Sequence, residues 1–113
     1  MHVALLLVGV FCALVSGAPV ASSAPRGIQL TESNFTATST NAWFVEFFSP
    51  KCRVCQRFEP IWEDLEREMA SHRTEFPSAP FMLARVNCET WMDLCTRQNI
   101  SGYPTFQLCV AAC

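Results

Sequence analysis

The sequence predicts an α/β domain with helices on both faces of a sheet, and three observations carry that expectation. Two apolar runs without polar alternation, Trp43 to Phe48 and Phe81 to Val86, read as strands covered on both sides. Between them, apolar residues recur at helical spacing. A shorter helical pattern follows the second run and leads into another extended stretch, so the order along the chain is βαβαβαβ.

The first element is not part of that domain. In "MHVALLLVGVFCALVSGAPVASSA" the apolar run from Val3 to Val15 is too short for an ordinary membrane span. It fits the apolar region of a secretory signal peptide, with small residues behind it for cleavage and His2 as its only basic side chain. The expected division is residues 1–24 as signal and 25–113 as the domain, an uncleaved N-terminal anchor being the alternative. The secretory route permits disulfides. Cys12 leaves with the signal, and Cys52, Cys55, Cys88, Cys95, Cys109 and Cys113 remain, an even set whose pairing the spacing does not fix. The sequons at Asn34 ("NFT") and Asn99 ("NIS") are candidate glycan acceptors in that compartment. A formal charge of -2 with interspersed signs offers no basic stripe, which argues against a nucleic-acid partner.

After the linker-like "APVASSAPRG", Ile28 to Thr31 is expected to form the first strand, and "TESNFTATST" a turn with a short helix. Trp43 to Phe48 is the first inner strand and carries a single charge, Glu46. From Cys55 onward, Phe58, Ile61, Trp62, Leu65 and Met69 form an apolar helical stripe, with Glu63, Asp64, Glu66 and Arg67 on the other side. Pro60 lies inside this helix and is expected to kink it. "SHRTEFPSAP" breaks the pattern before the strand Phe81 to Val86. "TWMDLCTRQN" offers a helix start at Thr90 and Asp93, and "GYPTFQL" returns to extended structure, with Pro104 keeping Tyr103 out of the helical region.

The chemistry concentrates in "SPKCRVCQRFEPIW". A Cys-x-x-Cys serves equally as half a zinc site, as a staple or as a redox dithiol. Zinc needs two more ligands, and Cys88 with Cys95 is spaced more widely than the usual knuckle pair, so no metal is expected. A purely structural Cys52–Cys55 bridge would be strained and easily reduced. At the start of a helix, however, Cys52 meets unpaired backbone N–H groups and the positive end of the helix dipole, with Lys51 and Arg53 beside it, and its thiolate is favoured. Cys55, one turn later, is the resolving thiol, and Glu46, a lone carboxylate on an apolar strand, is placed to take its proton. Cys88 and Cys95, at the end of a strand and on the next helix, are candidates for a structural disulfide, two buried free thiols being the alternative.

Together "WFVEFFSPKCRVCQRFEPIW", "ARVNCE" and "ISGYPTF" resemble a thioredoxin-like domain of the protein disulfide isomerase family over roughly Ile28 to Leu108. The segment "VNCETWMDLC" is most similar to fungal membrane-linked isomerases and quiescin-type sulfhydryl oxidases. The resemblance implies a thioredoxin-like fold with a central mixed sheet. It casts Cys52 as attacking cysteine, Cys55 as resolving cysteine and Glu46 as buried proton acceptor. Pro104 is cast as a cis-proline facing the dithiol, and Tyr103 as the residue whose backbone pairs with an extended substrate. It implies thiol–disulfide exchange on unfolded or disulfide-bearing secretory proteins in the endoplasmic reticulum lumen, with no cofactor beyond the cysteine pair. Membrane attachment would require a longer parent chain. Two departures stand out. Arg53-Val54 replaces the usual Gly-His between the cysteines and Lys51 the usual Trp, which implies a weaker oxidant. The family's final edge strand and helix have no counterpart after "FQLCVAAC", which implies a C-terminal truncation. The competing readings are a non-catalytic chaperone or peptide-binding module, and an inactive truncated fragment.

Overall fold

The computed structural model describes residues 27–75 and 81–113, so the expected signal segment lies outside the described residues. The elements are β1 (Ile28–Leu30), a 3-10 helix (Phe35–Ser39), β2 (Ala42–Phe48), α1 (Arg53–Glu75), β3 (Phe81–Asn87), α2 (Met92–Arg97) and β4 (Thr105–Val110). They form one mixed sheet in the order β1-β3-β2-β4. β3 runs parallel to both β1 and β2, with Ile28 opposite Ala84 and Glu46 opposite Arg85. β4 is antiparallel to β2, with Trp43 opposite Cys109.

The alternation of β2 divides the core. Trp43, Val45 and Phe47 face a buried cluster with Leu30, Ala84, Val86, Leu94 and Cys95, sealed by Phe35, Trp91 and Ile100 from the 3-10 helix and the α2 region. Phe44, Glu46 and Phe48 face the opposite side, under α1. There the fully buried Trp62 stacks on Phe44 at 6.0 Å and on Phe106 at 6.1 Å, and Phe58 meets Phe106 edge-on at 5.0 Å. Rings of this size bury enough apolar surface to fix where α1 sits on the sheet.

Several details differ from expectation. The stripe of α1 is rotated: Ile61 is 58% exposed, while Glu59 and Glu66 turn toward the protein. Successive helical residues are about 100° apart, so the position beside the deeply buried Trp62 falls off the contact face. Glu66 is tolerated inside because it accepts the Trp62 indole N–H at 2.6 Å. Pro60 lies inside α1 as expected, and the helix runs unbroken from Arg53 to Glu75. Thr90 does not cap α2, which begins at Met92 with Trp91 in the cap position and no side-chain cap bond. β1 ends at Leu30, because Thr31 already belongs to the turn closed by Asn34, whose amide oxygen accepts the Thr31 N–H at 2.6 Å.

Candidate functional site

β2 delivers the chain to a tight turn. The Cys52 N–H bonds the Ser49 carbonyl at 3.1 Å, and the Gln56 side chain holds the Pro50 carbonyl at 2.8 Å. α1 then starts with its unpaired N–H groups beside Cys52. The Cys55 N–H donates to Cys52 Sγ at 3.3 Å. Both thiols are free, Cys52 partly exposed and Cys55 only 2% exposed. Hydrogen bonds from the Cys55 side chain and backbone, and from the Val54 backbone, favour the Cys52 thiolate and lower its pKa. Burial, aided by the bond to Cys52, pushes Cys55 up to about 11.

The positive charge expected from Lys51 is largely spoken for. Its ammonium pairs with Glu89 at 3.1 Å, and Glu89 also accepts the Ser49 hydroxyl at 2.8 Å, which with Lys51 lowers the Glu89 carboxyl below its ordinary range. The backbone of the β3–α2 connection is thereby fastened to the turn carrying the dithiol.

On the other side of Cys52 lies the β4 approach. The Tyr103–Pro104 peptide is cis, and the Cys52 thiol donates to the Tyr103 carbonyl at 3.5 Å. Cys52, Cys55, Tyr103 and Pro104 therefore converge on one end of the sheet.

Glu46 sits beneath them, fully buried. Burial raises its pKa, and Arg85 opposes that shift. Arg85 Nε donates to Glu46 Oε2 at 2.6 Å, while its two terminal nitrogens grip Glu59 at 2.6 and 2.5 Å. The guanidinium also lies 4.1 Å from the centre of the Phe48 ring. Burial works against the Arg85 charge, but the Glu59 hydrogen bonds and both carboxylates outweigh it and raise its pKa. Glu46 Oε1 has no hydrogen-bond partner among the described residues.

Arg85 and Glu59 were not singled out from the sequence. The signal for Arg85 was present: one cation in the apolar strand "FMLARVN" mirrors one anion in "AWFVEFF", and the parallel register puts the two opposite each other. Glu59 gives no such signal, since a glutamate beside a helical proline reads as surface.

Among the described residues the other four cysteines are paired. Cys88 bonds Cys95, with their Cα atoms 5.7 Å apart, and Cys109 bonds Cys113. Neither pair can supply ligands to Cys52 and Cys55, and among the described residues no group of three or more His, Cys, Asp or Glu side chains is placed to hold a metal. Both sequon asparagines are exposed. The Asn34 amide is engaged with Thr31 and with the Gln29 carbonyl, whereas Asn99 follows α2 in a left-handed conformation.

The thioredoxin family model matches residues 27–112, which spans the whole sheet and the dithiol. The chain carries a thioredoxin domain of the protein disulfide isomerase family. It is 35% identical over 79 residues to the thioredoxin domain-containing protein 5 homolog of Drosophila melanogaster, covering 69% of this chain and 18% of that protein. It is 34% identical over 83 residues to protein disulfide-isomerase A4 of Mus musculus, covering 72% of this chain and 12% of that protein. The chain thus spans less than a fifth of either relative. Among solved structures, the zinc-bound form of human ERp44 superposes with a TM-score of 0.67 at 28% identity, covering 77% of this chain and 25% of that one. The first two thioredoxin domains of Naumovozyma dairenensis Eps1p give 0.65 at 32% identity, covering 83% and 34%.

Proposed function

We propose that this thioredoxin domain exchanges thiols and disulfides with polypeptide substrates in the endoplasmic reticulum lumen, acting as a disulfide oxidoreductase or isomerase. The observation that carries this reading is the asymmetry of its two sulfurs: one partly exposed and activated by backbone N–H groups, the other buried and held as a thiol. Cys52 thiolate attacks a substrate disulfide, forms a mixed disulfide and releases one substrate thiolate. Cys55 then gives its proton to Glu46 and attacks Cys52 Sγ. The bond between Cys52 and the substrate breaks, the second substrate thiolate leaves, and the protein dithiol, now the Cys52–Cys55 disulfide, has given up the two electrons that reduce the substrate disulfide. Run backward, the same steps oxidise a substrate dithiol. The Tyr103 backbone beside Cys52 supplies the pairing edge for an extended substrate, the cysteine pair is the whole redox group, and no cofactor is required. The secretory assignment is supported by the N-terminal sequence and the disulfide-rich composition.

Reduction of insulin by the wild-type chain, compared with Cys52→Ser, tests the reading. Turnover that vanishes in Cys52→Ser supports it. Suppression of insulin aggregation that is equal in both proteins, without turnover in either, overturns it in favour of a binding module.

A further inference from the structure

The Arg85 guanidinium is shared unequally between two carboxylates. Glu46, fully buried on β2, receives one hydrogen bond from Nε. Glu59, half-exposed on α1, takes both terminal nitrogens in a bidentate grip. Had the fork faced Glu46, both of its oxygens would be engaged, and a doubly bonded carboxylate is a poor proton acceptor. Instead Glu46 Oε1 is left buried and without a hydrogen-bond partner among the described residues, a costly state that calls for a task. A cleft of about 1050 Å³ reaches Glu59 and Arg85, being lined by both together with Cys55, Gly27, Gln29 and Glu66, while Glu46 lies behind them and does not line it.

We propose that Glu59 is a positioning residue for the resolving step: by occupying both terminal nitrogens of Arg85 it limits that guanidinium to one bond with Glu46 and keeps Glu46 Oε1 open to receive the Cys55 proton. The role of Cys55 rests on the exchange reading above; the linkage from Glu59 through Arg85 to Glu46 does not. The charged and titratable groups bearing on Glu46 are Arg85 from β3 and Glu59, Glu66 and Cys55 from α1. Of these, Glu59 alone both repels a Glu46 charge and withholds its counter-ion.

The linkage is read on the full chain in its oxidised form, where Cys55 carries no proton, by carboxyl 13C titration of Glu46 with the signal assigned by its absence in Glu46→Gln. Glu59→Gln, which is isosteric and partly exposed, is expected to lower the Glu46 midpoint by about 0.5–1 pH unit, because repulsion is removed and Arg85 is freed toward Glu46. Glu59→Asp keeps the charge but shortens the arm, and lowers the midpoint by less. In single-turnover resolution of a Cys52 mixed disulfide, the pH profile of Glu59→Gln moves down by the same amount while Cys52 alkylation is unchanged. A Glu46 midpoint within about 0.2 pH unit of wild type in both variants overturns the inference, even if both melt earlier, since a purely structural clamp would change the melt and leave Glu46 alone. A shifted midpoint in a chain that exchanges no disulfides would overturn the proposed function and leave the linkage standing.

Discussion

The Cys55 N–H donates to Cys52 Sγ across 3.3 Å, so the attacking sulfur is stabilised by the backbone of its own resolving partner. The bond forms because Cys52 occupies the cap position of α1, where the first N–H groups have no carbonyl to accept them. The same geometry buries Cys55 one turn later. Each sulfur therefore shifts the other in opposite directions.

Alkylation is accordingly expected to be selective. With its pKa near 11, about one Cys55 in 10⁴ is thiolate at pH 7. Brief iodoacetamide treatment under conditions that reduce the Cys52–Cys55 pair, followed by peptide mass mapping, should label Cys52 and spare Cys55. Comparable labelling of Cys55 in the folded protein would show that the two sulfurs are not differentiated.

Glu46→Gln separates chemistry from stability. Resolution of the mixed disulfide is expected to slow by about 10²–10³-fold, within the usual range for a lost acid–base group, with Cys52 alkylation nearly unchanged. The stability effect has a definite sign. Burial holds the folded Glu46 carboxyl above its ordinary value of 4.5, so between the two values the folded state carries the extra proton. Stability from this group is fully present below about pH 4.5 and is lost as pH rises through the folded value. Glu46→Gln removes that loss. Whatever the offset from disrupting the Arg85 pair, urea titrations of the oxidised proteins should show the mutant gaining on wild type from pH 5 to pH 8. A constant difference across that range would contradict the raised carboxyl.

What the sequence revealed and what it concealed follow from how far each signal reaches. Trp43–Phe48 was readable because an unbroken apolar run has few other uses, and Glu46 because one charge inside that run demands a reason. Arg85 obeys the same logic, and its role required only the parallel register that sets it opposite Glu46. Glu59 and Glu66 were hidden for a different reason: helical periodicity tells apolar from polar, and here two glutamates lie on the buried side because Arg85 and Trp62 meet them there. The Lys51–Glu89 pair joins residues 38 positions apart through a turn and a loop, which no local pattern encodes.

The Cys88–Cys95 bridge is expected to be a main support of α2. A six-residue helix without a side-chain cap has little stability of its own, and this one is tied to the end of β3 at both sulfur atoms. Closing a loop of separation 7 contributes about 2–3 kcal/mol through the unfolded state. The double variant Cys88→Ala, Cys95→Ala should lose that amount in denaturant titrations and melt about 10–20 °C earlier. Insulin reduction per folded molecule should persist at low temperature. A loss below about 0.5 kcal/mol would mean that packing of Leu94 and Trp91 alone holds the helix.

Val54 is expected to set the redox balance of the dithiol. It lies in the first turn of α1 and is 57% exposed, in the position from which a histidine could pair with the Cys52 thiolate. The neighbouring cations do little to replace such a partner. Lys51 is engaged with Glu89, and Arg53 is exposed to solvent that weakens its field. The reduced form therefore relies on backbone N–H donors and lacks a charge-assisted bond. Supplying one worth about 1.4 kcal/mol raises the potential of a two-electron couple by about 30 mV. Val54→His, equilibrated with glutathione buffers at pH 7 beside the wild-type chain, should become more oxidising by roughly that amount. The gap should narrow at pH 9, where the imidazole is neutral and has no charge to offer the thiolate. A potential that stays in place or becomes more reducing would show that the helix start alone governs Cys52, with position 54 indifferent.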